Sequence, residues 1–331
     1  SEPIIPNGLS LKHCNQTRLD QTMSDSNSTI DDKSEILFIY DSIYSIPNGD
    51  PFTGEQRYDE ETKNVLVSDV RIKRFIRDFL LAENERTDAE HEIYVKSVDA
   101  EGEGSSSAKR VEQLQKKYED IATDGEALLR ECIDVRLFGA VSTATDDMSV
   151  NLTGPVQFAL LNPSLNRVNL RMHQNTSVFK SDVSKQRGAI GTTSVVPYSV
   201  MQVHGWVNPF SASQTGLTDD DLSLMFETLW DSVNNANTRS KLNQSSLILL
   251  NIVYSDPREK LYRVDEYINI EPKEGKQEEQ LRGPADYEFD FSRLHEAVED
   301  DKVEEVQYHV AFDDLEEALK GGSAADTFTP M

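Results

Sequence analysis

Residues 37–45 read LFIYDSIYS, residues 46–67 IPNGDPFTGEQRYDEETKNVLV and residues 68–81 SDVRIKRFIRDFLL, and the fold turns on these three pieces. The first lies in an apolar strand over Glu35–Ser45, a buried run that alternates toward its end. The second carries Pro-Asn-Gly-Asp-Pro, whose backbone preferences make a turn. The third predicts a helix over Asp69–Leu81. At about 100° per residue, Ile72, Phe75, Ile76, Phe79 and Leu80 share one apolar arc. Arg71, Lys73, Arg74 and Arg77 follow one another around the other side, and Ser68 or Asp69 can cap the start.

The charge of this stretch is out of keeping with the rest. The chain carries −26 over 331 residues, yet between Lys63 and Arg77 five cations meet a single acid, Asp69. A second basic island spans Asn151–Gly216, where Asp182 is the only acid against Arg167, Arg171, Lys180, Lys185 and Arg187. Positive surface kept on an acidic protein points to a polyanionic partner. The overall balance argues against non-specific attachment to DNA or anionic membrane. It fits the saline cytoplasm of a halophilic archaeon, or an ordinary acidic cytosolic protein. At about 1 M salt the Debye length is roughly 3 Å, so a grip on nucleic acid there must rest on direct contacts, stacking and shape.

Residues 1–34 are polar and rich in Asn, Ser and Thr, and are expected to be a disordered extension, with Met23 a candidate native start. They hold no apolar leader core, and nowhere does an apolar run approach the roughly 18 residues of a membrane span, so a cytoplasmic protein without membrane contact is expected. Cys14 and Cys132 are the only cysteines, too few for a disulfide framework or a cysteine metal site. No metal-ligand spacing, phosphate-binding P-loop or Gly-x-Ser-x-Gly elbow is present, and no cofactor is expected.

Residues 35–331 read as one α+β domain. After the first helix come a short strand at Ile93–Val98, a flexible link at Glu101–Ser107 and a helix over Lys109–Cys132 interrupted near Gly125. A strand follows at Gly154–Leu161, then a cationic hairpin over Phe179–Ser194 feeding the alternating strand SVVPYSVMQVHGWVNPF. The helix Thr218–Asn234 opens with a Thr218/Asp221 capping box. A buried strand at Ser246–Ser255, short strands near Tyr262–Ile270 and Tyr287–Phe291, and a helix at Asp313–Lys320 complete the chain. This order fits one antiparallel sheet, with a ferredoxin-like core as the simplest match.

Seven motifs in order, IPNGDP, DEET, LVSDVRIKRFIRDFLL, DVRLFGA, GPVQFAL, VPYSVMQVHGWVNP and TGLTDDDL, resemble the backbone subunit of type I-B CRISPR Cascade complexes, of the RAMP superfamily. The resemblance extends from Glu35 to about Tyr254. It implies a modified RNA-recognition-motif (ferredoxin-like) palm with inserted finger and thumb regions, the thumb at about 177–195. It further implies several copies forming a helical filament on the spacer part of the CRISPR RNA (crRNA), beside other Cascade subunits. Target DNA would be read by pairing with the guide rather than by side chains. Carried onto this sequence, Arg71, Lys73, Arg74 and Arg77 become phosphate contacts and Lys180, Lys185 and Arg187 the thumb cations. The Asn48-Gly49-Asp50 loop shapes a subunit contact or the RNA-facing edge. Type I-C relatives carry Gly-Arg-Lys before the VPY strand where this chain has Gly191-Thr-Thr-Ser, which fits type I-B. Removing Lys73 and Arg77 together is expected to lower guide-RNA yield and leave the fold intact.

Two rival readings stand beside this non-catalytic one. His204, in VHGW, is the best candidate for acid–base work and His173 the second, because relatives in the superfamily process CRISPR RNA with a histidine. A structural or RNA-facing role for His204 is the favoured reading, against a ribonuclease that cuts repeat RNA. The third reading is a module that oligomerises through protein alone. A loop aspartate, Asp50 or Asp182, could be proposed for target cleavage, but neither has a metal partner nearby in sequence.

Overall fold

The computed structural model describes residues 28–96, 106–142, 149–176, 190–322 and 325–331. Strand β1 (Ser34–Ser45) is its axis, buried from Ser34 to Ser42. The chain then turns and returns as β2 (Tyr58–Asp59) and β3 (Asn64–Ser68), which leads directly into α1 (Asp69–Arg86). Helices α2 (Ser107–Lys117), α3 (Gly125–Arg130) and α4 (Ile133–Phe138) and the pair β4 (Gly139–Ser142) and β5 (Val150–Thr153) form an insertion. Strands β6 (Val156–Phe158), β7 (Leu161–Arg167) and β8 (Arg171–Thr176) precede β9 (Ile190–Val207). Next come α5 (Pro209–Thr215), α6 (Asp219–Asn234) and β10 (Gln244–Tyr254). The last third adds β11 (Asn269–Pro272), β12 (Tyr287–Asp290), α7 (Ser292–Ala297), β13 (Val303–Val310), α8 (Asp313–Leu319) and β14 (Phe328–Pro330).

Ten strands form one sheet in the order β14-β13-β10-β1-β9-β7-β3-β2, with β6 and β8 also paired to β9. Its pairings are antiparallel except β13 with β14. β1 is hydrogen-bonded on both edges, from Ser34↔Val207 to Ser45↔Val196 on one side and to β10 on the other. Successive side chains on a strand point to opposite faces. Ile36, Phe38 and Tyr40 therefore pack with α1 and α6, in a core that includes Ile72, Ile76, Met225 and Leu229. Leu37 and Ile39 pack on the other face against Tyr267, Tyr287, Phe291 and Leu319 from the acidic last third. Each fully buried side chain of this size contributes roughly 1.5–3 kcal/mol. A third cluster, with Val111, Leu114, Leu128 and Val135, belongs to the insertion.

The insertion closes on the sheet through two glycines. A Cβ on Gly154 would lie 2.1 Å from the Phe138 carbonyl carbon and 2.2 Å from the Gly139 nitrogen. Gly139 itself sits at φ +77°, where a side chain is strained.

Several expected elements are corrected. Helix α1 runs on to Arg86 rather than stopping at Leu81, because Glu83 and Arg86 continue it with an i,i+3 pair. Residues 93–96 are not strand; Ile93 and Tyr94 are buried in an irregular segment held by Asp134, and 97–98 lie outside the described residues. The helix expected over Lys109–Cys132 is two, because Asp124 caps α3 by accepting from the Glu126 and Ala127 amides. Gly154–Leu161 divides into β6 and the start of β7, Asn162 Nδ2 holding the Ala159 carbonyl at 2.9 Å. In place of a strand over Tyr262–Ile270 there is a 3₁₀ turn, Val264–Glu266, before β11. β13 went unpredicted: its inward Val306, Tyr308 and Val310 alternate correctly, but Glu304 and Glu305 mask the pattern.

The polar extension does not run to residue 34. Ile30 is buried, its amide donating to the Leu217 carbonyl at 3.1 Å. Residues 1–27, with Cys14, lie outside the described residues, and Cys132 is a buried free thiol. No helix among the described residues is long and apolar enough to cross a membrane.

Candidate nucleic-acid interface

The helix carrying the first basic island is positioned from outside itself. Ser68 stands at its N-cap but makes no side-chain cap bond. Instead Asn48 Oδ1, from the turn after β1, accepts from the Ser68 amide at 2.8 Å and the Ser68 hydroxyl at 2.9 Å. Asn48 is buried, and its own amide donates to Gln56 Oε1 at 3.0 Å. Beyond it Asp50 accepts from the Phe52 and Thr53 amides at 2.9 and 3.2 Å, bonds that hold its carboxyl below the usual range. Phe52, at the tip, is 96% exposed. Glu55, in the same turn, accepts from the Ser194 amide at 3.0 Å. Ser194 lies on the β8–β9 hairpin, whose arms pair from Arg171↔Val195 to Thr176↔Ile190. The basic helix and the hairpin stem are thus tied to one turn, beside the C-terminal end of β1 where Ser45 pairs with Val196.

The four helix cations have separate surroundings. Arg77 Nε lies 2.7 Å from Asp134 Oδ2, both side chains largely buried, and its guanidinium covers Phe138. Asp134 also accepts from the Tyr94 and Val95 amides at 2.7 and 3.1 Å. Lys73 Nζ lies 3.3 Å from Asp69 and 3.0 Å from Gln157 Oε1. Lys73 Nζ also lies 5.5 Å from the centre of the Phe138 ring, so these two cations join α1 to the insertion. Arg74 is exposed and paired with Asp78 one turn on, at 2.6 Å. Arg71 stacks on Phe75 at 3.8 Å and has no carboxylate in ion-pair range among the described residues; burial lowers its pKa. The expected continuous basic face is thus two internal ties, a half-buried Arg71 and an exposed Arg74.

Charge counting along the sequence missed Lys241. It sits in the loop between α6 and β10, inside the acidic last third, and the fold brings it to Arg71. Its ammonium donates to the Ile46 carbonyl, and burial with the like charge of Arg71 pushes its pKa down to about 8. Arg239, two residues earlier, is exposed. Lys180, Lys185, Arg187 and Asp182 lie outside the described residues.

His204 is not with this group. It pairs with Leu37 in the sheet, eight residues up β1 from Ser45, or roughly 26 Å at strand rise. Its Nε2 meets Glu35 Oε2 at 2.6 Å, Glu35 is fully buried, and the Tyr254 hydroxyl donates to the other carboxylate oxygen at 2.8 Å. The ring lies against Trp206. Glu35 shares strand parity with Leu37 and Ile39, so this network faces away from α1. His173 is exposed on β8. Among the described residues no three His, Cys, Asp or Glu side chains are grouped to hold a metal.

Comparison with known proteins places this architecture. A family model described as CRISPR-associated protein Cas7 matches residues 32–292. A Haloferax volcanii protein described as CRISPR-associated protein Cas7 is 29% identical over 293 residues, covering 81% of this chain and 83% of that protein. A solved chain of a CRISPR RNA-guided surveillance complex in a pre-nicking state superposes with a TM-score of 0.51 at 12% identity, over 90% of this chain and 96% of that one. At that identity the last likeness speaks to fold.

Proposed function

The chain belongs to the Cas7 family of CRISPR-associated proteins, and from that premise we propose that it is the crRNA-binding backbone subunit of a type I-B Cascade. It binds the guide without cutting it, and successive copies line the spacer RNA. The observation that carries this reading is the gathering of α1, the 46–57 turn, the 235–243 loop and the β8–β9 hairpin at one end of β1. Arg71 and Arg74 meet phosphates there, and Lys180, Lys185 and Arg187 are assigned to the same RNA as thumb cations. Asn48 acts by setting the pitch of α1. Lys73 and Arg77 contribute by holding α1 to the insertion rather than by touching RNA.

The strand order β10-β1-β9-β7, with α1 and α6 on one face, supports reading the centre as an RNA-recognition-motif palm, the insertion as a finger and the hairpin as a thumb. A ribonuclease built on His204 is disfavoured by the burial of its imidazole against Glu35 and Trp206. Other Cascade subunits flank the filament, target DNA reaches it through pairing with the guide, and the complex works in the cytoplasm. Native mass spectrometry of the protein with single-stranded RNAs of increasing length tests the reading. Copy number should climb in regular steps with length, and repeat RNA should stay intact. A fixed copy number, or RNA cleavage lost in His204→Ala, would overturn it.

A further inference from the structure

Among the described residues two cations are buried, Arg110 and Lys241. Arg110 has the partner that burial calls for: its guanidinium pairs with Glu92 and donates to the Ile93 carbonyl at 2.6 Å. Lys241 has no carboxylate in range among the described residues. It touches the neutral Ile46 carbonyl, and the charge that acts on it is Arg71, of its own sign. Buried charges in folded proteins are normally paired, and this chain has 59 acids from which a partner could come. One donor within the pair and one beside it lack a bonding partner. Arg71 Nε is buried and unbonded, and so is the hydroxyl of Tyr40, a wholly buried side chain that feels the Arg71 charge. Two cations and two idle donors, with no anion, describe a site that awaits one.

We propose that Lys241, Arg71 and Tyr40 form an anion-receiving cluster that takes one phosphate of the bound RNA. Arg71 makes the contact from its half-buried place on the first turn of α1, and Lys241 supplies charge from behind it. Arg74, one turn beyond Arg71 on α1, and Arg239, two residues before Lys241, are exposed. The inference deepens the RNA-binding reading and rests on it. It assigns a residue from the acidic last third to the RNA path.

The test is fluorescence anisotropy with a labelled single-stranded RNA across a salt series, using wild type, Lys241→Met and Lys241→Arg, with circular dichroism to verify folding. Lys241→Met should bind ~10-fold more weakly, the loss of one positive charge behind the contact. Its salt slope should fall by roughly 0.7, while Lys241→Arg keeps both. A second readout covers a Met variant that fails to fold. An arriving phosphate favours the charged ammonium, so wild type should take up protons on binding near pH 8, where Arg71 is the charged group facing Lys241. Calorimetry in two buffers of different ionisation enthalpy measures that uptake, and Lys241→Arg should show none. Lys241→Met with wild-type affinity and slope, or equal proton uptake in Lys241→Arg, overturns the cluster while leaving the family reading in place. Loss of RNA-free self-association in Lys241→Met, with RNA affinity unchanged, would assign the anion to a carboxylate of a second copy and overturn the phosphate. Failure of the wild-type chain to bind RNA would sink both.

Discussion

Arg77→Ala and Arg74→Ala, one turn apart on the same helix, should behave oppositely. Arg77 is 12% exposed and Asp134, its partner at 2.7 Å, is 1% exposed. Removing the guanidinium strands a carboxylate that also organises the Tyr94 and Val95 amides, and breaking a buried pair from one side costs about 3–5 kcal/mol. The lost contact with Phe138 adds ~0.5–2 kcal/mol. Arg74 and Asp78 are about half exposed, and such a pair contributes roughly 0–1 kcal/mol. Urea unfolding followed by circular dichroism, paired with RNA anisotropy on the same samples, separates the two roles. Arg77→Ala should lower the midpoint strongly with an unchanged slope. Arg74→Ala should melt like wild type and bind RNA more weakly. Substituting Lys73 and Arg77 together, the choice a helical wheel suggests, is thus expected to test folding first. An Arg77→Ala protein with wild-type stability and lost RNA binding would refute the reasoning and return Arg77 to the RNA.

Other expectations follow from the same geometry. Asp41 is buried, meets the Tyr198 hydroxyl at 3.2 Å, and burial raises its pKa to about 6. The folded state therefore holds its proton more tightly than the unfolded chain, so stability should fall by about 3 kcal/mol as pH rises from about 4 to about 6 and then level off. Asp41→Asn should flatten that limb in unfolding titrations; an unchanged limb would contradict it. Gly154→Ala should destabilise by about 3 kcal/mol or more, since its Cβ meets backbone rather than a movable side chain, and a wild-type melt would argue against this packing. Thr218→Ala, which removes the hydroxyl that accepts from the Asp221 amide at 3.2 Å, should cost about 1 kcal/mol in the same assay.

Legibility in the sequence followed the range of each interaction. β1, the start of α1, α6 and its capping box, β10 and α8 could be read because their patterns are local and strongly periodic. β13 could not, because its outward acids overwhelm a short apolar alternation. At the site, the helix cations were visible but their division was not. Whether Lys73 or Arg77 is a tie or a contact depends on Gln157 and Asp134, which lie far along the chain. Lys241 was invisible for the same reason: local charge counting files it with the acidic last third, while its position is set by pairing of β10 with β1. His204 stood out by type, yet its character comes from Glu35, 169 residues away.

The most direct test is to sequence and footprint the RNA that co-purifies with the tagged chain from cells carrying its CRISPR locus. Spacer-containing guide RNA, protected at regular intervals and depleted when Arg71 and Arg74 are both changed to Ala, is the predicted result. Recovery of no RNA, or of RNA unrelated to any spacer and indifferent to those two arginines, would contradict it.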